Sequence, residues 1–452
     1  MCTTTRRGFL MGCSAAVAAM SGSRLSYAAF GDPEAATNQD VLVVVFARGG
    51  MDGLSLVPPI DGADRAFYEA ARPELQIPLT GANAALPLNS LFGLHAAAAP
   101  LHDLYLDGHL TVVHAVGMNV DTRSHFDAME FLERGTPGTK ATTTGWLTRH
   151  LQTATNLPPE IIMPSLSVGD IQPTSLLGDR DTVAMDDPGQ FNLNTGPWLW
   201  RNPQRVALRR LYNGGTTLVH DAGIQAMNAA DIIEAYVGNG YTPANGAVYP
   251  SNGFGDQLQI IAQMIKLDVG LRIVTVDLGG WDTHESQGTG GGGYFGDLVG
   301  TLAQGLAALY ADLDGAAGGN HSQRLTVVLQ SEFGRRFREN ADRGCDHGHG
   351  NAMLVLGGKV NGGVYASWPG LAPEQLYDNA DLAVTTDFRR VLSEILIRRL
   401  GNPNLGQIFP GYSGYSPLGV VQGTDLAPVF GGAIFRDDFE SGGLTGWTAV
   451  SS

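Results

Sequence analysis

The run "DVLVVVFARGG" at residues 40–50 constrains the fold more than any other part of this chain. It is continuously apolar and rich in β-branched residues, with no alternating polar face, so it reads as a strand covered on both sides, as in a parallel sheet. Arg48-Gly49-Gly50 then releases the chain at the strand's carboxyl end. "LTVVHAVG" (110–117) repeats the pattern, and "LRIVTVDLGGWDTHE" (271–285), "RLTVVLQSEFGRR" (324–336) and "AMLVLGG" (352–358) supply further strands. Helical stretches precede the third and fourth of these: "GFGDQLQIIAQMIKL" and "FGDLVGTLAQGLAALYADL". Such alternation predicts an α/β fold, a three-layer sandwich with a mainly parallel central sheet between helices. In sheets of this kind functional residues gather beyond the carboxyl ends of the strands.

The 452 residues suffice for one large domain or two ordinary ones, and a hydrophobic content of 43% supports a sizeable core. A formal net charge of −16 argues against nucleic acid or an anionic membrane as partner. The N-terminus begins with paired Arg6 and Arg7, followed by Gly-Phe-Leu, a short apolar stretch and "SYA" at 26–28. It reads as a twin-arginine export signal over 1–28, which predicts a periplasmic or secreted protein with no stable membrane span after processing. The alternatives are a membrane anchor, against which the apolar run is short, and a lipoprotein box at "LMGC". Cys2 and Cys13 would leave with the signal, so Cys345 would be alone and could form no intramolecular disulfide.

The domain is expected over 29–420. Within it, 150–255 reads as a helical cap-like insertion that includes "GPWLWRNPQRVALRRLY". "GTGGGGYFG" (288–296) is either a lid or an exposed connection, and 421–452 reads as a C-terminal tail.

Acids, imidazoles and a hydroxyl cluster at the strand ends. Asp52 follows the first strand; Ser124, flanked by Arg123 and His125, follows the second; Asp282 and His284 follow the third; Glu332, then Asp346 and His347, follow the fourth. Mixed carboxylate and imidazole groups suit a divalent cation. In a locally extended "DTH" the Asp282 and His284 side chains share a face. A hydroxyl beside such ions loses its proton readily, and Ser124 lies at a helix start where backbone N–H groups favour an anion. Arg48, Arg123, Arg335 and Arg336 are candidate clamps for anionic oxygens. Each residue also has a plainer reading. Ser124 serves as an N-cap, Asp52 steadies a turn, Glu332 pairs with Arg335 or Arg336, and His284 is a hydrogen-bonded structural histidine. His95, His102, His109 and His114 lack acids at useful spacing and read as structural; Thr385, Thr386 and Asp387 read as helix capping.

The segments "VVVFARGGMDGLSLVPP", "RSHFDAMEFLERG", "GWLTRHL", "DTHESQ", "SEFGRRFREN", "DHGHGNAMLVLGG" and "TTDFRRVL" together resemble the domain-of-unknown-function 1501 family, exported bacterial proteins grouped with the alkaline phosphatase and sulfatase fold. That resemblance runs from about 40 to 410 and implies an alkaline phosphatase-like fold. It implies one or two divalent ions (Zn²⁺, Mn²⁺, Mg²⁺ or Ca²⁺) held by Asp52, Asp282, His284, Glu332 and His347. Ser124 would be the nucleophile; beside that carry-over, Arg48, Arg123, His125 and Arg335 are the expected contacts to a small anionic ester. Asp346 and His349 would stand behind the ligands. "DTH" is shorter than the usual acid-to-histidine spacing of the phosphatases, and Glu332-Phe333 stands where an Asp-His pair is common. The expected activity is metal-dependent hydrolysis of phosphate or sulfate esters. The alternatives are a non-catalytic exported binding or surface-assembly protein on the same fold, and a metal-dependent isomerase or transferase.

Overall fold

A computed structural model describes residues 39–157, 163–187, 199, 201–237, 241–268 and 270–431. The expected export signal at 1–28, and the part of the expected 421–452 tail beyond 431, lie outside the described residues.

Among these residues the central sheet has nine strands: β1 Val41–Ala47, β2 Leu110–Gly117, β3 Ser165–Val168, β4 Thr182–Ala184, β5 Ile273–Leu278, β6 Leu325–Gln330, β7 Asn351–Leu356, β8 Gly363–Tyr365 and β9 Thr386–Asp387. Their spatial order is β8-β2-β7-β6-β1-β5-β3-β4, with β9 also pairing β2. All pairings are parallel except those of β7, which runs antiparallel to both β2 and β6.

Every residue of β1 is buried, and alternate residues enter different cores. Val41, Val43, Val45 and Ala47 join one cluster with α2 (Ala99–Leu106), α7 (Gly253–Leu267) and α8 (Tyr294–Leu313). Leu42, Val44 and Phe46 join another with α3 (His125–Arg134), α4 (Trp146–Thr153) and α9 (Phe388–Arg398). Helices therefore cover both faces, and the architecture is the three-layer α/β sandwich with a mainly parallel sheet that the apolar runs predict. The remaining labelled helices are α1 (Gly62–Ala71), α5 (Arg201–Asn213) and α6 (Leu218–Val237). No helix among the described residues is long and apolar enough to cross a membrane.

Helix starts follow local chemistry. Asn252 caps α7 by accepting from Gly255 N, and Asp387 caps α9 by accepting from Arg389 N. Helix α3 opens on Ser124 as its N-cap and closes on Gly135 in the left-handed conformation.

Two expectations about boundaries need correction. The stretch 150–255 is not all cap, because β3 and β4 extend the main sheet beside β5; "SLSV" and "TVA" are too short and too polar to read as buried strands. Within that stretch, helices α5 and α6 pack on each other. The boundary at 420 also falls inside packed chain. Val421 is fully buried and donates its backbone N–H to Glu394, and the backbone of Val429 pairs with Pro403 and Gly406. The glycine-rich 288–296 loop is tied down: Gly290 N–H donates to Glu74 O and its carbonyl accepts from Asn83.

Candidate metal centre

The site is assembled where β1, β5 and β6 release the chain. Gly49 has φ +123° and Gly50 φ +68°, conformations that side-chain-bearing residues rarely adopt. A Cβ at Gly49 would lie 2.5 Å from Asp282 N, and one at Gly50 would lie 2.6 Å from the Phe333 ring. The glycines thus let the loop after β1 press between the loops after β5 and β6. Trp281 N–H donates to Arg48 O (3.2 Å), Met51 N–H to Ser331 Oγ (2.9 Å) and Gly49 N–H to Glu332 Oε1 (2.8 Å). The 343–350 turn then folds back over the site. Cys345 N–H donates to Thr283 O (3.0 Å), Arg336 N–H to Asp346 O (2.9 Å) and Gly348 N–H to Gly334 O (2.8 Å).

Three imidazoles and a carboxylate converge here. His347 Nε2 lies 2.8 Å from His125 Nε2, 2.8 Å from His284 Nε2 and 3.2 Å from Asp282 Oδ1. Asp282 Oδ1 is also 3.3 Å from His125 Nε2 and 3.1 Å from His284 Nε2. Donor atoms of His125, Asp282 and His347 all lie within 4.8 Å of one another, a spacing fit for a metal ion. His284 adds its Nε2 from the side of His347 and Asp282.

Behind each of these groups stands a partner that fixes it. His125 Nδ1 meets Glu332 Oε1 (2.8 Å), His284 Nδ1 meets Asp346 Oδ1 (3.1 Å) and His347 Nδ1 meets the Arg123 carbonyl (2.7 Å). All three partners are hydrogen-bond acceptors, so each Nδ1 donates, and in the neutral imidazole each Nε2 is left with its lone pair. This is the arrangement of metal-binding histidines, whose second nitrogen donates to a carboxylate or carbonyl. The Asp282 carboxylate accepts from Arg335 (2.6 Å), whose buried guanidinium also donates to the carbonyls of Gly49, Gly50, Trp281 and Cys345. Phe333 packs its ring 4.9 Å from both His125 and His347. The centre is open to solvent on one side: the Asp282 side chain is 50% exposed and that of His284 43%.

The electrostatics follow from these contacts. Burial pushes the Asp282 carboxyl up, but the Arg335 guanidinium outweighs it and holds the group at about 2. Burial likewise raises Glu332, and its hydrogen bonds to His125 and the glycine loop more than reverse that. The hydrogen bond to Glu332 raises the His125 imidazole, whereas burial lowers that of His347.

Of the residues expected from the sequence, Asp282, His284, His347, Glu332, Asp346 and Arg335 come together, with Glu332 behind His125 and Asp346 behind His284. His125, expected to bind substrate, stands instead among the ligand-type groups; its signal in the sequence was its place beside Ser124 at the helix start. Asp52 is not brought to the cluster. Its fully buried carboxylate accepts from Arg72 through both guanidinium ends (2.5 and 3.1 Å), from Ser55 Oγ (2.7 Å) and from Gln287 (2.8 Å). Ser124 is exposed, and its Oγ accepts from Asp127 N–H at 3.4 Å. Arg48 is held by Asp277 and Glu133, and Arg123 by Asp381 (2.8 Å). The His349 ring stacks on Tyr377 at 4.1 Å, and Cys345 is buried, with its thiol pushed up to about 12 by burial. His95 caps a turn, and His114 bonds the Val57 carbonyl at 3.0 Å.

A family model described as "Protein of unknown function (DUF1501)" matches residues 220–401. No curated protein matches the chain. Among solved structures, the chain is similar to the lipoteichoic acid synthase LtaP from Listeria monocytogenes at 10% identity and a TM-score of 0.33, over 86% of this chain and 76% of that one. It is similar to the PsFucS1 sulfatase from Pseudoalteromonas sp. at 10% identity and a TM-score of 0.31, over 79% and 68%. Likenesses this distant carry no argument about the site.

Proposed function

We propose that this chain is a member of the domain-of-unknown-function 1501 family, exported by the twin-arginine route on an alkaline phosphatase-like fold, and that it is a metal-dependent hydrolase of phosphate or sulfate esters. The family match covers Asp282, His284, Glu332, Arg335, Asp346 and His347, while Asp52, Ser124 and His125 lie outside it. One observation carries the reading: the Nε2 atoms of His125 and His347 and the Asp282 carboxylate, with His284 Nε2 beside them, gather at a solvent-open point beyond the sheet's carboxyl edge. A bound divalent ion would supply Lewis acidity toward an ester oxygen.

The chain's own residues would do the rest. His125, Asp282, His284 and His347 would hold the ion, with Glu332, Asp346, the Arg123 carbonyl and Arg335 keeping them in place. Ser124 is the proposed nucleophile; it neighbours His125 and sits at the positive end of α3, where an anionic ester is favoured. Arg48 and Arg123, both partly exposed, are the proposed contacts to the ester's oxygens. The test is a screen of aryl phosphates and aryl sulfates across several divalent metals. Ser124→Ala should abolish turnover while bound metal is retained, and absence of turnover on both ester classes would sink the reading.

The occupation of Ser124 Oγ as a helix cap favours a second reading, a non-catalytic binding or surface-assembly protein. Undiminished biological activity of Ser124→Ala would decide for it.

A further inference from the structure

We infer that this centre takes a single ion, and that the ion is of the zinc type rather than Mg²⁺ or Ca²⁺. The inference rests on the metal-dependent part of the proposed function and is independent of the ester chemistry.

The spacing points to one ion. His347 Nε2 lies 2.8 Å from His125 Nε2 and 3.2 Å from Asp282 Oδ1, and Asp282 Oδ1 lies 3.3 Å from His125 Nε2. Tetrahedral ligands at zinc–nitrogen distances stand about 3.3 Å apart, so these three need to open by a few tenths of an ångström at most. His284 Nε2 lies 2.8 Å from His347 Nε2 and 3.1 Å from Asp282 Oδ1 but stands outside the group whose donor atoms all lie within 4.8 Å of one another, so it would turn toward His125 to become the fourth ligand.

Ligand type points the same way. Mg²⁺ and Ca²⁺ are hard ions that take six or more oxygens. Three imidazole nitrogens and one carboxylate oxygen suit Zn²⁺ and its transition-metal neighbours.

Among the described residues, the acids expected to hold a second ion are engaged elsewhere. Asp52, the acid expected to help hold one, gives both oxygens to Arg72 in a pair with 0% side-chain exposure. Glu332 spends Oε1 on His125 and Gly49 and Oε2 on Ser331. Arg335, against Asp282, already places a positive charge at the edge of the cluster. The two-ion site implied by the family resemblance therefore does not fit these residues.

The experiment is metal analysis of the purified, exported chain, with Co²⁺ titration followed by visible absorption. One equivalent of zinc per chain should survive dialysis against millimolar Mg²⁺ and Ca²⁺, and Co²⁺ should give one tetrahedral spectrum. His125→Ala and His284→Ala should each weaken binding at least tenfold. Glu332→Gln should weaken it about ten- to hundredfold, the usual cost of losing an outer partner, with the far-UV circular dichroism unchanged. Two equivalents, displacement by Mg²⁺ or Ca²⁺, or unaltered affinity in both histidine variants would overturn the inference. One zinc without ester hydrolysis would leave it standing and remove the hydrolase. Hydrolysis sustained by Ca²⁺, Mg²⁺ or two ions would do the reverse, and no bound metal would remove both.

Discussion

The buried pair of Asp52 and Arg72 shows how one partner changes what an acid can do. Read along the chain, "RGGMDG" presents a carboxylate at a strand end, the position of a ligand. In the folded protein Arg72, twenty residues further on, neutralises it in a fully buried contact. Nothing local in "AARPEL" announces that arrangement, so the sequence could not separate ligand from ion pair. Removing one partner of such a pair leaves an uncompensated buried charge. Arg72→Met should cost about 3–5 kcal/mol in urea unfolding, and adding Asp52→Leu should recover much of it. If Asp52 instead held an ion, the double variant would lose metal. Gly49→Ala should also destabilise, by roughly 1–3 kcal/mol, because a backbone at positive φ must carry a Cβ pressed against Asp282 N. The drop would be read as a lower midpoint of thermal unfolding.

At the scale of elements, legibility followed burial. Runs covered on both faces, such as β1 and β6, announce themselves by unbroken apolar residues. "SLSV" in β3 does not, because Ser165 bonds Asp179 and Thr182 through its hydroxyl and so needs no apolar character there. Strand direction is also silent, since an apolar run reads the same whether its neighbours are parallel or antiparallel; β7 is the case in point. Helix α3 was legible as a helix, but the sequence alone could not aim His125 at Glu332 rather than at a substrate. Ser124 has a dual position on this helix, which separates two effects. Ser124→Asp restores a capping side chain, and Ser124→Ala should cost about 1 kcal/mol of stability relative to it, measured by denaturant midpoint. Both should lose ester turnover if the hydroxyl is the nucleophile.

For the molecule as a whole, acid should be the weak side. His95, His114 and His150 are each buried at 1% exposure or less, and burial pushes each imidazole down to about 4. The unfolded chain takes up protons at these positions near pH 6.5, whereas the folded chain does not until about pH 4. Stability should therefore be undiminished above pH 6.5 and fall as pH drops from 6.5 toward 4, by an eventual 3 kcal/mol or so for each group. Urea unfolding at pH 7, 6, 5 and 4 measures this, and a flat profile would contradict it.

Because β7 runs against its neighbours, the chain leaves β6 and re-enters the sheet at the same edge, one strand away. Residues 331–350, with Glu332, Arg335, Asp346 and His347, thus form an arch standing on two adjacent strands. The other pillars, His125 and Asp282 with His284, arrive from α3 and from the end of β5. An ion gripped between arch and pillars would act as a keystone, and amide hydrogen exchange across β1, β5 and β6 should slow together when it is set in place.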